Sequence, residues 1–209
     1  MEKLITFVAI KNKPLDLFLM KKVSIFAIER IVEPTEILAV RYNPTKGKHI
    51  VAEVLAKWQD IQYLEDFFEK YKSDLESWNS DVENAIIKTI NQMKAFIVRL
   101  KNAGNSGQFD NTIFKPLHRN VSFNNQLCTQ SKAYGIENGS SWLRMYAIRL
   151  GENQYLITGG CIKLTQAMQD RPHTELELHK LKEVSNYLKN QGFRSIEDGD
   201  LDLLEVEIL

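Results

Sequence analysis

The sequence predicts an α+β fold, in which a β-hairpin, a pair of helices, a set of short strands and a last helix follow one another. Two observations support this order. Apolar side chains recur at three- and four-residue steps between residues 64 and 100, and β-rich runs flank a tight turn between residues 142 and 164. With 209 residues, 44% of them hydrophobic, the chain can bury a core without disulfides or a structural metal.

The first element is a predicted β-hairpin. Residues 23–31 and 37–42 are rich in β-branched and aromatic side chains, and Pro34 lies in the turn-like segment between them. We interpret residues 1–47 as an N-terminal extension that carries this hairpin. A short helix is predicted over residues 50–58, where the apolar side chains fall on one side.

Two longer helices are predicted next, and the short link between them indicates an antiparallel helical hairpin. The first helix carries an apolar stripe over residues 64–78. Ser80 is the predicted N-cap of the second helix, whose stripe covers residues 82–100 and which Gly104 closes.

Beyond the helical hairpin, the pattern changes to that of strands. Residues 112–118 form a short candidate strand, and the polar residues 120–141 predict a long loop. Residues 142–150 and 154–164 then predict a β-hairpin around a tight turn.

The chain after this second hairpin predicts one more helix. Gly159 and Gly160 interrupt the last strand, which indicates a bulge or a close approach of another backbone. The final helix is predicted to begin at Thr174, which forms a capping-box pair with Glu177, and to end at Gly192.

Several classes of protein are disfavoured by the sequence. Cys128 and Cys161 are far apart and the four histidines are scattered, so neither a disulfide framework nor a metal site is predicted. No stretch approaches the roughly 20 apolar residues of a membrane helix, and the apolar run at residues 4–10 lacks the features of a signal peptide. We therefore expect a soluble, cytoplasmic protein that binds no membrane and needs no cofactor.

Acidic and basic residues are equal in number, 27 of each, but they are segregated along the chain. Residues 60–83 contain eight acids and two bases, a net charge of −6, whereas residues 94–163 contain nine bases and three acids, a net charge of +6. Residues 193–209, a predicted acidic tail, have a net charge of −5. A basic sheet face with aromatic side chains suits a phosphate backbone and its bases. Ordinary solvated charges are the alternative explanation.

Three motifs follow the helical hairpin: residues 112–117 (TIFKPL), residues 143–149 (LRMYAIR) and residues 157–165 (ITGGCIKLT). In this order, and followed by a terminal helix, they resemble the RelE/ParE superfamily of toxin–antitoxin systems, and most closely its HigB-like, phage-derived branch. The resemblance implies a compact α+β domain, assigned to residues 48–192, in which a small twisted antiparallel sheet packs on the helical hairpin.

The best-known activity of this family is cleavage of mRNA on the ribosome without a metal. The 2′-hydroxyl attacks the adjacent phosphate, so the protein must orient that hydroxyl and stabilise the developing negative charge. Arginine and lysine suit this task because they are charged donors, and arginine can bind a phosphate through two hydrogen bonds. The resemblance therefore implies a toxin-type mRNA endoribonuclease that needs no cofactor and is held inactive by a cognate antitoxin protein.

The resemblance also assigns catalytic residues by position. Arg144 matches the basic residue that begins the central strand of the family, and Lys163 matches the basic residue that ends the next strand. Lys115 and His118 lie where such toxins place further basic or acid–base groups. A histidine side chain suits a proton shuttle because its titration lies nearest to neutral pH.

Four more residues are expected to bind RNA. They are Arg119, Lys132, Tyr146 and Arg149. The strand period of two places Tyr146 on the same face as Arg144, and Arg149 on the opposite face.

One segment departs from the pattern of the family. Many active members carry a tyrosine or a histidine shortly after the last strand, whereas residues 164–168 contain neither. Together with the N-terminal extension, this favours an alternative in which a non-catalytic relative uses the fold to bind RNA or protein. For residues 197–209, where leucines alternate with acids, the alternatives are an extra strand, a cover for the basic face, or a loose terminus.

Overall fold

The computed structural model describes residues 24–32, 37–42, 48–118, 122–123, 128–136, 140–190, 192 and 206–208. The elements within them, in chain order, are β1 (Ser24–Val32), β2 (Ile37–Arg41), α1 (Ile50–Gln59), α2 (Ile61–Lys70), α3 (Lys72–Leu75), a 3-10 turn (Glu76–Trp78), α4 (Val82–Ser106), β3 (Phe114–Pro116), β4 (Thr129–Tyr134), β5 (Leu143–Gly151), β6 (Gln154–Ile162), α5 (Pro172–Asn190) and β7 (Val206–Ile208). The predicted α+β class is confirmed.

The strands of the described residues form a mixed sheet in the order β3-β4-β5-β6-β2-β1-β7. All neighbours are antiparallel except β2 and β6, which run parallel, with Ile37 opposite Tyr155. The expectation of an antiparallel sheet is therefore wrong at this pair. The physical reason lies in β2, because residues 37–40 are all buried. Such a continuous apolar run is typical of a parallel strand covered on both faces.

β4 is the strand that the sequence did not predict. It lies within residues 120–141, which we expected to form a long loop, and it pairs with β3 on one side and β5 on the other. Its side chains alternate between buried and half-buried positions, and the polar residues Thr129 and Ser131 occupy buried ones. The strand was not predicted because its residues are mostly polar. Its signal is the alternation of buried and half-buried side chains.

A side-chain cap sets the start of α4, and a glycine in a left-handed conformation sets its end. Asp81, not Ser80, is the N-cap, and its Oδ1 accepts a hydrogen bond from the N–H of Asn84 at 2.8 Å. The helix continues past Gly104 and ends at Gly107, whose φ of 67° lies in the left-handed region that favours glycine. In the described part of the chain, none of the helices combines the length and the apolarity needed to cross a membrane.

Helices cover both faces of the sheet, as the neighbouring glycines of β6 show. A Cβ on Gly159 would lie 1.7 Å from Oε2 of Glu177 in α5, and one on Gly160 would lie 3.0 Å from Val54 in α1. Neighbouring strand residues point to opposite faces, so α5 packs on one face and α1 on the other. Close approach therefore requires this glycine pair, and the β5–β6 register also shifts beside it.

α5 begins at Pro172, two residues before the predicted start. The expected capping box between Thr174 and Glu177 does not form. The Thr174 hydroxyl donates instead to the carbonyl of Met168 at 2.5 Å, and Glu177 turns toward the sheet, where Lys180 donates to it at 2.7 Å.

Part of the acidic tail docks as an extra strand, which was one of its predicted alternatives. β7 pairs antiparallel with β1, with Glu207 opposite Ile25. In the sheet order β7 and β3 lie at opposite ends. This part of the tail therefore lies at the other end of the sheet from β3, β4 and β5, which carry the basic residues.

Candidate functional site

A cavity of about 930 Å³ opens on one face of the sheet, and we call it the sheet-face cavity. Strands β4 and β5 supply its floor, and residues 163–170 together with α3 and the 3-10 turn supply its wall. The residues expected to act on RNA that line it are His118, Lys132, Arg144, Tyr146 and Lys163. The tertiary fold thus gathers five of the eight residues expected from sequence.

Strand register brings the floor residues together. Lys132 on β4 lies opposite Tyr146 on β5, and Tyr134 lies opposite Arg144. Residues that are paired across strands, or two apart along one strand, share a face. The structure therefore places Arg144 and Tyr146 on one face, as the strand period predicted, with Lys132 and Tyr134 beside them.

The guanidinium group of Arg144 is held on one edge and on one face. Its Nη1 donates to the carbonyl oxygens of Ser141 at 2.6 Å and Leu143 at 2.8 Å. Its Cζ lies 4.0 Å from the ring centroid of Tyr134, in a cation–π arrangement. Burial lowers the pKa of Arg144, but an arginine stays charged in proteins. Nε and Nη2 of Arg144 make no hydrogen bond to the described residues, so both can donate to an anionic ligand.

A buried network from α4 fixes the backbone to which Arg144 donates. The Ser141 hydroxyl donates to Oε1 of Gln92 at 2.7 Å. The same hydroxyl accepts from the N–H of Gly135 at 3.1 Å and of Leu143 at 3.2 Å. Ser141 and Gln92 are both buried. The start of β5, and with it the Ser141 carbonyl, is therefore tied to α4.

The two lysines of the cavity also contact backbone carbonyl groups. Nζ of Lys132 donates to Leu117 at 2.6 Å. Nζ of Lys163 donates to Thr165 at 2.6 Å and also to Gln166. An ammonium group has three N–H donors, so the described residues leave two of them without a partner on Lys132 and one on Lys163.

The electrostatics of the floor combine cations with neutral donors. Burial, followed by the nearby charge of Arg144, lowers the pKa of Lys163. Burial raises the pKa of Tyr146, and it raises the pKa of Cys161 to about 12. The Cys161 thiol lies 3.9 Å from the Tyr146 hydroxyl oxygen. Both groups therefore stay protonated near neutral pH, while the lysine releases its proton more readily than an ordinary lysine.

The aromatic side chains of the cavity differ in exposure. Tyr146 is only 1% exposed, so its ring packs in the core and offers no open stacking surface. Tyr134 and Trp78 are half-buried and line the cavity. They are the aromatic surfaces on which a base can stack, although the sequence had suggested Tyr146.

Two of the expected residues lie at or beyond the rim. His118 is exposed and lines the cavity. Lys115 is exposed on β3, opposite Lys132, and does not line the cavity. Arg119 lies outside the described residues.

Arg149 lies away from the cavity, on the opposite face of β5, as the strand period predicted. Its Nε donates to Oδ1 of Asp110 at 3.0 Å and its Nη2 to Oδ2 at 2.6 Å. The Tyr155 hydroxyl donates to the same carboxylate at 2.5 Å. Against the effect of burial, these hydrogen bonds lower the pKa of Asp110. Arg149 therefore lies apart from the other expected residues, and its guanidinium is engaged in an ion pair with Asp110.

Sequence reasoning missed the residues that build the wall. Trp78 Nε1 donates to the carbonyl of Leu164 at 2.8 Å. Asp74 accepts from Arg171, at 2.9 Å from Nε and 2.5 Å from Nη2. These contacts join residues more than 80 positions apart, and no local pattern marks them. Tyr134 carried a usable signal, since it follows Lys132 by two positions in an alternating strand.

His173 fastens the wall to the end of β6. Its Nε2 lies 2.8 Å from the carbonyl oxygen of Ile162, to which it donates. Its Nδ1, 3.2 Å from the Tyr71 hydroxyl oxygen, is then the acceptor. Burial lowers the pKa of His173, so the neutral ring is favoured and the histidine acts as a structural residue.

Comparisons with protein-family models, with curated proteins and with solved structures found no match. Among the residues that the structure describes, no three His, Cys, Asp or Glu side chains are grouped as metal ligands would be. The function is therefore inferred from the geometry of the sheet-face cavity.

Proposed function

We propose that this protein is a toxin-type mRNA endoribonuclease and that the sheet-face cavity holds the scissile phosphate. The observation that carries the proposal is the convergence of Lys132, Arg144 and Lys163 with two aromatic side chains, Tyr134 and Trp78, in one cavity. Cationic donors beside aromatic rings are the combination that binds single-stranded RNA. A volume of about 930 Å³ also suits a nucleotide-sized ligand.

The proposed reaction needs no metal. The 2′-hydroxyl oxygen bonds to the adjacent phosphorus and the bond from phosphorus to the 5′ oxygen breaks, which leaves a cyclic phosphate and a free 5′-hydroxyl. His118 accepts the proton of the 2′-hydroxyl, and Arg144 and Lys132 stabilise the charge on the phosphate oxygens. Lys163 donates a proton to the leaving oxygen, a role that its lowered pKa supports. Lys115, on the neighbouring strand, adds attraction for the RNA backbone.

The proposal extends to partners and to the finer fold. The substrate is mRNA on the ribosome, which places the activity in the cytoplasm, and a cognate antitoxin inhibits it by covering the cavity. The antiparallel strands β4, β5 and β6, with a pair of helices before them and one after them, support a RelE-like, HigB-like arrangement. The N-terminal hairpin is then an addition to that arrangement.

Expression of the protein in a bacterial host tests the proposal. Wild type should arrest growth and cut ribosome-bound mRNA, whereas R144A and K163A should relieve the arrest and slow cleavage about 100-fold, as loss of a transition-state donor does. K182A is the control, because Lys182 is exposed on α5 outside the cavity lining. A wild-type protein that neither arrests growth nor cuts ribosome-bound mRNA would show that the enzyme proposal is wrong.

A non-catalytic RNA-binding relative is the second candidate. Two observations favour it: Lys163 already donates to two carbonyl groups, and the segment after β6 lacks the expected tyrosine or histidine. This candidate predicts salt-dependent RNA binding without cleavage. Measurement of both properties on the same RNA separates it from the enzyme.

A further inference from the structure

A second cavity, of about 490 Å³, lies along α4, and we call it the α4 groove. Its lining includes Trp78, Ile87, Lys88 and the side-chain amides of Asn84 and Asn91. Trp78 lines both cavities. The α4 groove and the sheet-face cavity therefore meet at this side chain, so a strand bound in the first cavity can continue past Trp78 toward the second.

The charge of α4 favours an anionic ligand. The helix contains four basic residues and one acidic residue, Glu83, which lies in its first turn. Lys88 is the basic residue that lies in the groove. Its Nζ is 4.5 Å from the ring centroid of Trp142 and 5.7 Å from that of Trp78. These rings hold the ammonium group in place, and no carboxylate of the described residues pairs with it.

The groove also contains neutral donors and the apolar side chains of Ile87 and Ile136. Asn84 and Asn91 supply amides, and Ile87 is 52% exposed. The neighbouring carboxylate is Asp81, whose oxygens accept from the N–H of Asn84 at 2.8 Å and from its side-chain amide at 2.9 Å. That carboxylate caps the helix, and it is absent from the groove lining.

We infer that the α4 groove binds the nucleotides that flank the scissile phosphate, with Lys88 on the RNA backbone and one base against the exposed part of Trp78. The inference rests on the proposed function, since it extends the same single strand beyond the sheet-face cavity. Non-specific binding of single-stranded RNA uses this combination of a cationic groove and aromatic surfaces along the strand.

RNA fits this groove better than a segment of protein does. Of its apolar lining side chains, only Ile87 is strongly exposed among the described residues, since Ile136 and Trp78 are half-buried. One exposed isoleucine is a small apolar centre for a protein interface. Ammonium and amide donors, by contrast, match phosphate and ribose oxygens. RNA binding also makes a specific demand, namely that affinity rises with strand length.

Fluorescence anisotropy tests the inference with single-stranded oligonucleotides that carry 2′-O-methyl groups and so cannot be cleaved. A trinucleotide fills the sheet-face cavity alone, whereas a dodecanucleotide reaches the α4 groove. The variants are K88M, which keeps the apolar stem over the indole rings, and K88R, which keeps the charge. K182M removes an exposed lysine of α5, which lies outside both linings, and is the matched control.

Wild type is expected to bind the dodecanucleotide at least several-fold more tightly than the trinucleotide. K88M should remove most of this gain and reduce the slope of log affinity against log salt by about 0.7, the effect of one phosphate contact on a single strand. The affinity of K88M for the trinucleotide should equal that of wild type. K88R should keep the tighter binding of the dodecanucleotide, and K182M should bind both oligonucleotides as wild type does. Melting temperatures check that each variant is folded.

Two results would overturn the inference and leave the proposed function intact. One is equal affinity of wild type for the two lengths. The other is a length dependence that K88M and K182M change equally, since the groove then has no part in it and is open to a protein partner. If wild type binds neither oligonucleotide, the proposed function is wrong and the inference that rests on it is wrong too.

Discussion

The position of Arg144 depends on a buried hydroxyl group that contacts no ligand. Ser141 Oγ bonds to Gln92 Oε1 and to two backbone N–H groups, while the Ser141 carbonyl accepts from Arg144. A buried polar group left without its partner costs about 1–3 kcal/mol. The network therefore favours one geometry, and Ser141 is a positioning residue for the guanidinium group.

We expect S141A to weaken RNA binding about tenfold, because misalignment of one hydrogen bond between charged groups costs ~1.5 kcal/mol. S131A is the matched control, since Ser131 is also buried but donates to the carbonyl of Thr129, in its own strand, at 3.0 Å. Both variants should lose stability in urea unfolding, and S141A alone should lose affinity in fluorescence anisotropy. Equal affinities of the two variants would contradict a positioning role.

Side-chain periodicity gave the correct faces of β5, because alternation is a local property of any strand. It separated Arg149 from Arg144 and Tyr146 before any tertiary contact was known. Alternation also places Tyr134 on the same face as Lys132, but the polar residues of β4 resembled a loop, so the contact between Tyr134 and Arg144 was not predicted. The position of Trp78 in the linings of both cavities could not be predicted either, because it is set by tertiary packing rather than by a local motif.

A buried carboxyl group of α5 faces the sheet. Glu177 is 7% exposed, its Oε2 occupies the space where a Cβ on Gly159 would lie, and Lys180 donates to its Oε1 at 2.7 Å. Burial raises the pKa of Glu177 above its ordinary value of 4.5, although Lys180 and Lys57 oppose the shift. The folded protein therefore binds this proton more tightly than the unfolded chain does.

This shift makes the docking of α5 sensitive to pH. A raised pKa stabilises the fold while the pH is below the ordinary value, and the contribution is lost as the pH rises through the folded pKa. E177Q stays neutral throughout. The melting temperature of E177Q relative to wild type should therefore rise as the pH is raised from about 4 to about 8. E175Q, at an exposed position of the same helix, should show no such trend. If the difference in melting temperature between E177Q and wild type did not change with pH, the raised pKa of Glu177 would be contradicted.

The helices and the β5–β6 hairpin followed from local patterns, whereas the order of the strands did not. β2 lies between β1 and β6 in the sheet although more than 100 residues separate it from β6 in the chain. Such pairing is decided by which apolar surfaces can be buried together, and a strand with four consecutive buried residues needs cover on both faces. The run ILAV was visible in the sequence, but its partner was not.

The parallel pair makes the N-terminal hairpin part of the central sheet. Ile37 is fully buried and lies opposite Tyr155 of β6, the strand that runs beside the cavity floor. An extension that folds apart from the remaining chain could lose such a side chain without effect on the rest. A strand within the sheet cannot, because the vacated space opens in the shared core.

We therefore expect I37A to lower the free energy of unfolding by about 2–5 kcal/mol and to leave a single cooperative transition. I61A makes the same chemical change at a residue that is 62% exposed, so it should alter stability by no more than about 0.5 kcal/mol. Urea unfolding followed by tryptophan fluorescence measures both, because the three tryptophans all follow residue 47. If I37A left this transition unchanged, residues 1–47 would be an extension that is separable from the rest of the chain. A loss of stability reported by tryptophans that all lie outside residues 1–47 requires the hairpin to share a core with the rest of the chain.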